Sequence, residues 1–365
     1  MERRQVLVPL GVFVSTVLFF LLFDSILGAL LNKKIIGQPH PYYHHGLLPN
    51  AKMEETWGHD TFSIYTNTLG LRDGSNREIE LKSTKQRIVF LGDSFVEGVG
   101  LSYEKTFVGL VAKALDPRRF EVLNAAVVSY SPKLYFLKAQ YLVEHTGLQI
   151  DELVVYIDIS DPQDEIVYQP FIPATAMRRS TRFDMFLKRH SYVYNRFYAE
   201  FNHGYLYLRN VLHPSKLSSN NTPSPLPTAA SALVDFYSRY YEERWRWVSD
   251  PVIMEKWGKT GLLLCRENMD RLYALCQAHG IHLVIAVYPW PQQVKRHEID
   301  SLQVTFWKSF CAEKKIPFLN YFPDFMKSPN PQEDLDHYFI DGDVHWNEQG
   351  HQLIAHKFLQ NLYNK

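Results

Sequence analysis

Residues 88–95 read Ile88-Val89-Phe90-Leu91-Gly92-Asp93-Ser94-Phe95, and the fold turns on this stretch. Four apolar residues in a row, ended by a glycine, predict a strand buried on both faces, as in a parallel sheet covered by helices. A serine on the tight turn directly after such a strand is held in the open. A substrate and a base can both approach it there.

The pattern outward from this stretch repeats the same unit. Helix is predicted over 103–115 and strand over 121–126, then helix over 132–144 and strand over 153–159. After an interruption come helix 262–279, strand 283–288, helix 302–313, strand 317–321 and a last helix over 347–362 with Leu353, Ile354, Phe358 and Leu362 on one face. Apolar strands separated by helices predict an α/β fold, a parallel sheet covered on both sides in three layers. The interruption, 162–258, carries aromatic and basic sequence and then Pro214–Pro227, rich in Ser, Asn and Pro. It is expected to be an inserted helical subdomain with a low-complexity tether inside it. Its aromatics serve either as core or as a carbohydrate-binding or membrane-facing surface.

Near the far end stands Asp341-Gly342-Asp343-Val344-His345-Trp346, just ahead of the last helix. A neutral serine hydroxyl is a poor nucleophile at pH 7, and a histidine beside a carboxylate is the base that activates it. The two pieces lie about 250 residues apart, which is no obstacle when the fold gathers strand ends. In open parallel sheets functional groups collect outside the carboxyl ends of strands. The segments 92–94, 124–130 and 156–161 all end at that edge. Together the pieces point to serine acyl transfer.

Each residue has a plainer reading as well. Ser94 alone fits a helix N-cap, and His345 alone fits a surface histidine. Arg72 either binds a substrate carboxylate or closes a turn. His44 and His45 lack a second pair at metal spacing. Asp158, Asp161, Asp164 and Glu165 cluster near the expected site without the spacing of a calcium loop. No metal and no cofactor are expected.

Over its 365 residues the chain carries 39 Lys+Arg against 39 Asp+Glu, and 46% of it is hydrophobic. That supports a substantial core and leaves no basic footprint for nucleic acid, which is not expected as a partner. The three cysteines, Cys265, Cys276 and Cys311, are too few for a disulfide framework and are expected to be buried free thiols. From Val6 to Leu31 the chain is almost wholly apolar, with Asp24 its only charge. About 20 such residues cross a hydrocarbon core, so residues 1–34 are expected to be an uncleaved transmembrane anchor. Arg3 and Arg4 before the span balance Lys33 and Lys34 after it, so charge alone sets no orientation. Residues 35–86, rich in His, Tyr and turn residues, are expected to be a linker or N-terminal extension ahead of a domain over 87–365.

Gly92-Asp93-Ser94 on the first strand, with Asp343-Val344-His345 before the last helix, resembles the SGNH (GDSL-type) hydrolase superfamily. The Asp-x-His-Trp spelling most resembles its polysaccharide O-acetyltransferase branch, of which the alginate O-acetylation proteins are familiar members. The resemblance covers 87–365 outside the insertion. It implies a flavodoxin-like three-layer fold, with Ser94 as nucleophile, His345 as base and Asp343, rather than Asp341, as the orienting carboxylate. Oxyanion donors in that family are the backbone N–H at the serine, a glycine after the second strand and an asparagine after the third. This chain departs from that pattern. Ala126 and Ser129 fill the positions expected for the glycine, and Ser160 stands where the asparagine is expected. Ser129 keeps a backbone amide, Ser160 is shorter than asparagine, and Asn124 at the end of the second strand is a candidate substitute.

The resemblance further implies a catalytic domain outside the cytoplasm, an acylated glycan or other acyl donor as substrate, and a multi-spanning membrane acyltransferase as partner. The departures motivate a competing expectation, a binding or assembly protein on a catalytically weakened hydrolase fold.

Overall fold

The computed structural model of the chain describes residues 12, 15–16, 18–24, 26–28, 37–57, 60–174, 187, 191–194 and 242–364. Among them, ten strands run in chain order as β1 (Gly37–His40), β2 (His44–Leu47), β3 (Lys52–Trp57), β4 (Asp60–Thr66), β5 (Arg72–Asp73), β6 (Gln86–Leu91), β7 (Phe120–Asn124), β8 (Glu152–Ile157), β9 (His282–Val287) and β10 (Phe318–Asn320). The first two form a separate antiparallel hairpin, and the other eight form one sheet. Five of those eight, in the order β10-β9-β8-β6-β7, are parallel. The chain begins this parallel set at β6, steps to β7 on one side, and crosses back to β8 on the other. Strand order therefore reverses at the carboxyl end of β6, the position at which open α/β sheets place their sites.

The helices that cover the sheet are α1 (Ser94–Glu97), α2 (Phe107–Ala114), α3 (Pro132–Gln140), α4 (Asp161–Tyr168), α5 (Lys259–His279), α6 (Leu302–Lys314) and α7 (Glu348–Tyr363). One face of the sheet carries α2 packed on α7, and the other carries α5 with α3 and α4 against it. Ile88, Val89, Phe90 and Leu91 of β6 are all fully buried, as a strand covered on both faces requires. Phe90 meets Phe107 of α2 and Phe358 of α7, with ring centroids 5.4 and 5.0 Å apart. A fully buried aromatic of this kind contributes about 1.5–3 kcal/mol through removal from water.

The sheet differs from a purely parallel one. The stretch expected to be a linker or N-terminal extension supplies β3, β4 and β5, which extend the β7 edge in antiparallel fashion. In β3, exposed and half-buried residues alternate from Lys52 to Trp57. An antiparallel strand with one face toward water shows this alternation instead of an apolar run. Short polar strands of that sort gave no signal of the kind that marked β6 and β8.

Both described flanks of the interruption dock on the domain. α4 begins one residue before it, and a Cβ added to Gly261 of α5 would lie 2.2 Å from Pro162 O, so the two helices touch backbone to backbone. Trp247 is buried and donates its indole N–H to Ile159 O at 2.7 Å. The rest of the expected subdomain, including its tether, lies outside the described residues apart from 187 and 191–194.

The expected anchor lies mostly outside them too. Those of its residues that are described, between 12 and 28, are helical, and Leu18, Phe19, Phe20, Leu21, Leu22, Phe23 and Ile26 are all exposed. Among the described residues no helix is long and apolar enough to cross a membrane. Asp24 accepts the Val193 N–H at 2.8 Å. The three cysteines are buried and free.

Lys138 of α3 is fully buried, with its ammonium 4.1 Å from the Tyr43 ring centroid and no hydrogen-bond acceptor. Loss of water lowers its pKa to about 7. An unfolded lysine titrates near 10.4. Between those values the unfolded chain binds the proton and the native one does not, so stability from this group rises with pH across that window. Lys138→Met is therefore expected to stabilise the protein by about 2–4 kcal/mol at pH 7, where one pKa unit is 1.36 kcal/mol and the ring returns part of the loss. The gain should vanish near pH 10. Urea unfolding of both proteins at pH 7 and pH 10 checks this, and a gain independent of pH would refute a buried charge as its cause.

Candidate active site

Ser94 is the first residue of α1, directly past the end of β6. The N-cap of that helix is Asp93, whose carboxylate accepts the Phe95 N–H at 3.0 Å and the Tyr288 hydroxyl at 3.0 Å. With Asp93 in the capping role, the Ser94 side chain is left to face the opposite wall. Gly92 is needed for the approach: a Cβ there would lie 2.3 Å from Val96 Cγ2. At the other end of α1, Gly98 takes a φ of 84°, and a Cβ would strike Thr106.

The opposite wall is the loop between the helix 331–338 and α7. His345 Nε2 is 2.9 Å from Ser94 Oγ, and His345 Nδ1 is 2.7 Å from Asp343 Oδ1. The same Asp343 oxygen accepts the His345 backbone N–H at 3.1 Å. Burial opposes ionisation of Asp343, but the His345 hydrogen bond and charge and the His345 and Val344 N–H groups outweigh it, so the carboxyl sits below its ordinary range. Asp341 is exposed and is not the carboxylate on Nδ1. Phe95 packs against the imidazole at 4.9 Å between centroids, and Trp346, fully buried, packs on Phe95 and Tyr288.

Two further contacts were invisible in the sequence. Trp57, at the end of β3, donates its indole N–H to Asp343 Oδ2 at 3.2 Å. The second oxygen of the carboxylate is thereby held from the N-terminal extension. Glu97, the buried last residue of α1, accepts the Val128 N–H at 2.7 Å. Burial raises its carboxyl above the ordinary range, against the pull of Arg72.

The residues proposed for the oxyanion fall into different places. Ser129 takes a φ of 60°, the left-handed region that favours glycine. The position lacks the glycine but keeps its backbone. Among the described residues, neither the Ser94 nor the Ser129 N–H donates to another protein group. Ser160 is buried at the start of α4, where its backbone N–H goes to Asp158 Oδ1 at 2.6 Å. Asn124 is not the substitute donor. Its amide N–H goes to Val96 O at 2.8 Å and its oxygen accepts the Ala126 N–H at 3.2 Å, so it ties α1 to the end of β7.

Arg72 is not a substrate ligand either. It is buried, and its guanidinium donates to Glu97 O at 2.6 Å, Gly98 O at 2.8 Å and Leu101 O. The first two are the carbonyls at the end of the helix that begins with Ser94, and the third lies in the turn that follows it. The acidic cluster is occupied by protein donors: Asp158 holds the Trp290 indole N–H at 2.6 Å, Asp161 the Tyr135 hydroxyl at 3.1 Å, and Asp164 pairs with Arg244. Among the described residues, no group of His, Cys, Asp or Glu could hold a metal ion.

No protein-family model matches the chain, and no curated protein matches it in sequence. Among solved structures it is similar to a GDSL-like lipase from Bacteroides thetaiotaomicron, at 11% identity and a TM-score of 0.39, over 78% of this chain and 92% of that one. A lipase/acylhydrolase from Enterococcus faecalis has 11% identity and a TM-score of 0.40, over 76% and 96% of the two chains. A psychrotrophic esterase from Pseudoalteromonas sp. has 11% identity and a TM-score of 0.38, over 77% and 100%. At TM-scores this low the similarities decide nothing about the site, whose chemistry rests on its own geometry.

Proposed function

We propose that this chain is a serine acyl-transfer enzyme of the SGNH (GDSL-type) class. The observation that carries the reading is the unbroken relay from Ser94 Oγ through His345 to Asp343, with steps of 2.9 and 2.7 Å. In the forward step His345 Nε2 takes the proton of Ser94 as Oγ attacks the acyl carbonyl carbon. Asp343 holds the proton on Nδ1, which keeps Nε2 free to accept and stabilises the imidazolium that forms. The negative charge on the acyl oxygen falls to the amides of Ser94 and Ser129. Collapse of the tetrahedral adduct transfers the Nε2 proton to the leaving oxygen and leaves the acyl group on Ser94. An incoming hydroxyl, activated by the same histidine, then receives the acyl group and frees the serine.

The acyl group is proposed to be acetyl and the acceptor a sugar hydroxyl of an envelope glycan, with water as the hydrolytic alternative. Both follow from the resemblance of Asp343-Val344-His345-Trp346 to the O-acetyltransferase branch. The apolar N-terminal run supports a membrane anchor, the resemblance to the O-acetyltransferase branch supports an extracytoplasmic domain, and a multi-spanning acyl-supplying partner fits that arrangement. The glycine-like backbone at Ser129 favours the enzyme over a weakened binding scaffold at one of the two positions that motivated the scaffold, because the departure there is one of side chain only.

Purified full-length protein should release the chromophore of a chromogenic acetyl ester, and a fluorophosphonate should block that release with its adduct on the peptide holding Ser94. Ser94→Ala should lose both properties. Turnover that persists in Ser94→Ala, or an adduct on another residue, would dispose of the proposal.

A further inference from the structure

Hydrogen bonds hold Val128 on both sides of its Cα. Its N–H, in the preceding peptide, is taken by Glu97 Oε2 at 2.7 Å, and its C=O, in the peptide shared with Ser129, lies 2.9 Å from His45 Nε2. Ser129 follows with its φ of 60°, a conformation that costs a side-chain-bearing residue about 1–2 kcal/mol. His45 comes from β2, in the stretch ahead of the parallel domain. Its ring lies against Tyr130 and Tyr168, with centroids 5.0 and 6.0 Å away, and its carbonyl accepts the Tyr130 hydroxyl at 2.6 Å.

Chemistry fixes the direction of these bonds. A carbonyl oxygen can only accept, so His45 donates from Nε2. Its Nδ1 is 2.8 Å from His44 Nδ1, and in a neutral imidazole with the proton on Nε2 that contact is donated by His44. Burial, with Lys138 adding its charge, holds His45 below the ordinary histidine range, which favours the neutral ring.

In a trans peptide the C=O and N–H point in opposite directions. A donor fixed on Val128 O therefore fixes the direction of Ser129 N–H, the amide that the mechanism assigns to the oxyanion. Donation to the carbonyl also polarises the peptide and strengthens its N–H as a donor. We infer that His45 is a positioning residue for acyl transfer, one that aims and polarises the Val128–Ser129 peptide and does the work for which a glycine would otherwise be present. This rests on the reading of Ser94, His345 and Asp343 as the reacting group. His45 itself touches no substrate.

The test uses full-length protein and a chromogenic acetyl ester. His45→Leu should lower kcat about 10- to 100-fold, less than the loss of a whole oxyanion donor, with KM changed by less than about twofold. His45→Gln carries an N–H that can reach Val128 O and should recover most of the loss. Tyr130→Phe removes the other bond of the same strand and should lower the thermal midpoint without the fall in kcat. Should the leucine variant not fold, His45→Asn, polar but too short to reach Val128 O, takes its place with the same expected loss. A kcat equal to wild type in the leucine or asparagine variant, or a glutamine variant as slow as leucine, overturns the inference while the Ser94-dependent activity stands. Absence of Ser94-dependent turnover in wild type overturns the reading of the site, and the inference with it.

Discussion

Asp343→Asn should reduce kcat for an acetyl ester by about ten-thousandfold, the loss seen for the equivalent change in serine proteases, with little change in thermal midpoint. Asp343 Oδ1 accepts from both His345 Nδ1 and the His345 backbone, while Oδ2 accepts from the Trp57 indole. An asparagine has one acceptor oxygen for those two sides. If it faces Trp57, its NH2 meets His345 Nδ1 and drives the ring proton to Nε2, where it can no longer receive the proton of Ser94. If it faces His345, the indole loses its acceptor and the cation formed in the reaction loses its counter-charge. Either orientation leaves the hydroxyl without a competent base. Asp341→Asn, at an exposed position, should change kcat by less than about threefold. Steady-state rates for the two variants, compared at equal folded fractions, decide the matter, and a crippled Asp341→Asn beside a mild Asp343→Asn would reverse the assignment. Because Asp343 is held below the ordinary carboxyl range, its charge persists as pH falls through that range, while the stability linked to it, full above the ordinary value, declines from there and is gone below the lowered one.

Arg72→Leu should destabilise the fold by about 3–5 kcal/mol. The guanidinium is buried and serves three carbonyls at the end of α1 and in the turn that follows it, and leucine leaves each of them without a donor. Lysine is no remedy, since a single ammonium cannot reproduce a planar fork. The change should also slow turnover, because the same carbonyls anchor the turn that presents Ser94. Urea unfolding together with steady-state kinetics separates this from a substrate-binding role. A rise in KM with stability unchanged would restore Arg72 as a ligand, whereas loss of stability with KM preserved identifies it as a clamp on the nucleophile's helix.

The parallel half of the sheet could be read directly from the sequence. Strands such as β6 and β8 are buried on both faces, and a short unbroken apolar run ended by turn residues matches that environment. Ser94 and His345 were legible for a related reason, since each stands at the junction of a strand or loop with a helix. The N-terminal strands were not legible. In β3 the half-buried positions are Met53, Glu55 and Trp57, too mixed to mark a strand, and the partner that makes them a sheet edge, the β5–β7 junction at Arg72 and Asn124, is far away in sequence. Trp57 illustrates the general difficulty, because its hydrogen bond to Asp343 spans 286 residues and no local pattern distinguishes that indole from any other. Asn124 misled for the converse reason. Residue type at the sheet edge suggested a donor, but its side-chain amide is taken by Val96 O and its oxygen by the Ala126 N–H, contacts that only the folded chain defines.

The hydrogen bond between His345 and Ser94 joins positions 251 residues apart, and this separation has a consequence in time. A ribosome adding about 5–20 residues per second needs roughly 13–50 s between exposing the serine turn and supplying its base. During synthesis Ser94 is an ordinary hydroxyl on an incomplete sheet. Trp57 waits longer still, because its partner Asp343 lies 286 residues further along the chain. Reactivity therefore begins only after the loop carrying His345 has been made and has closed on the serine turn, so the chain stays chemically silent while those 251 residues are added.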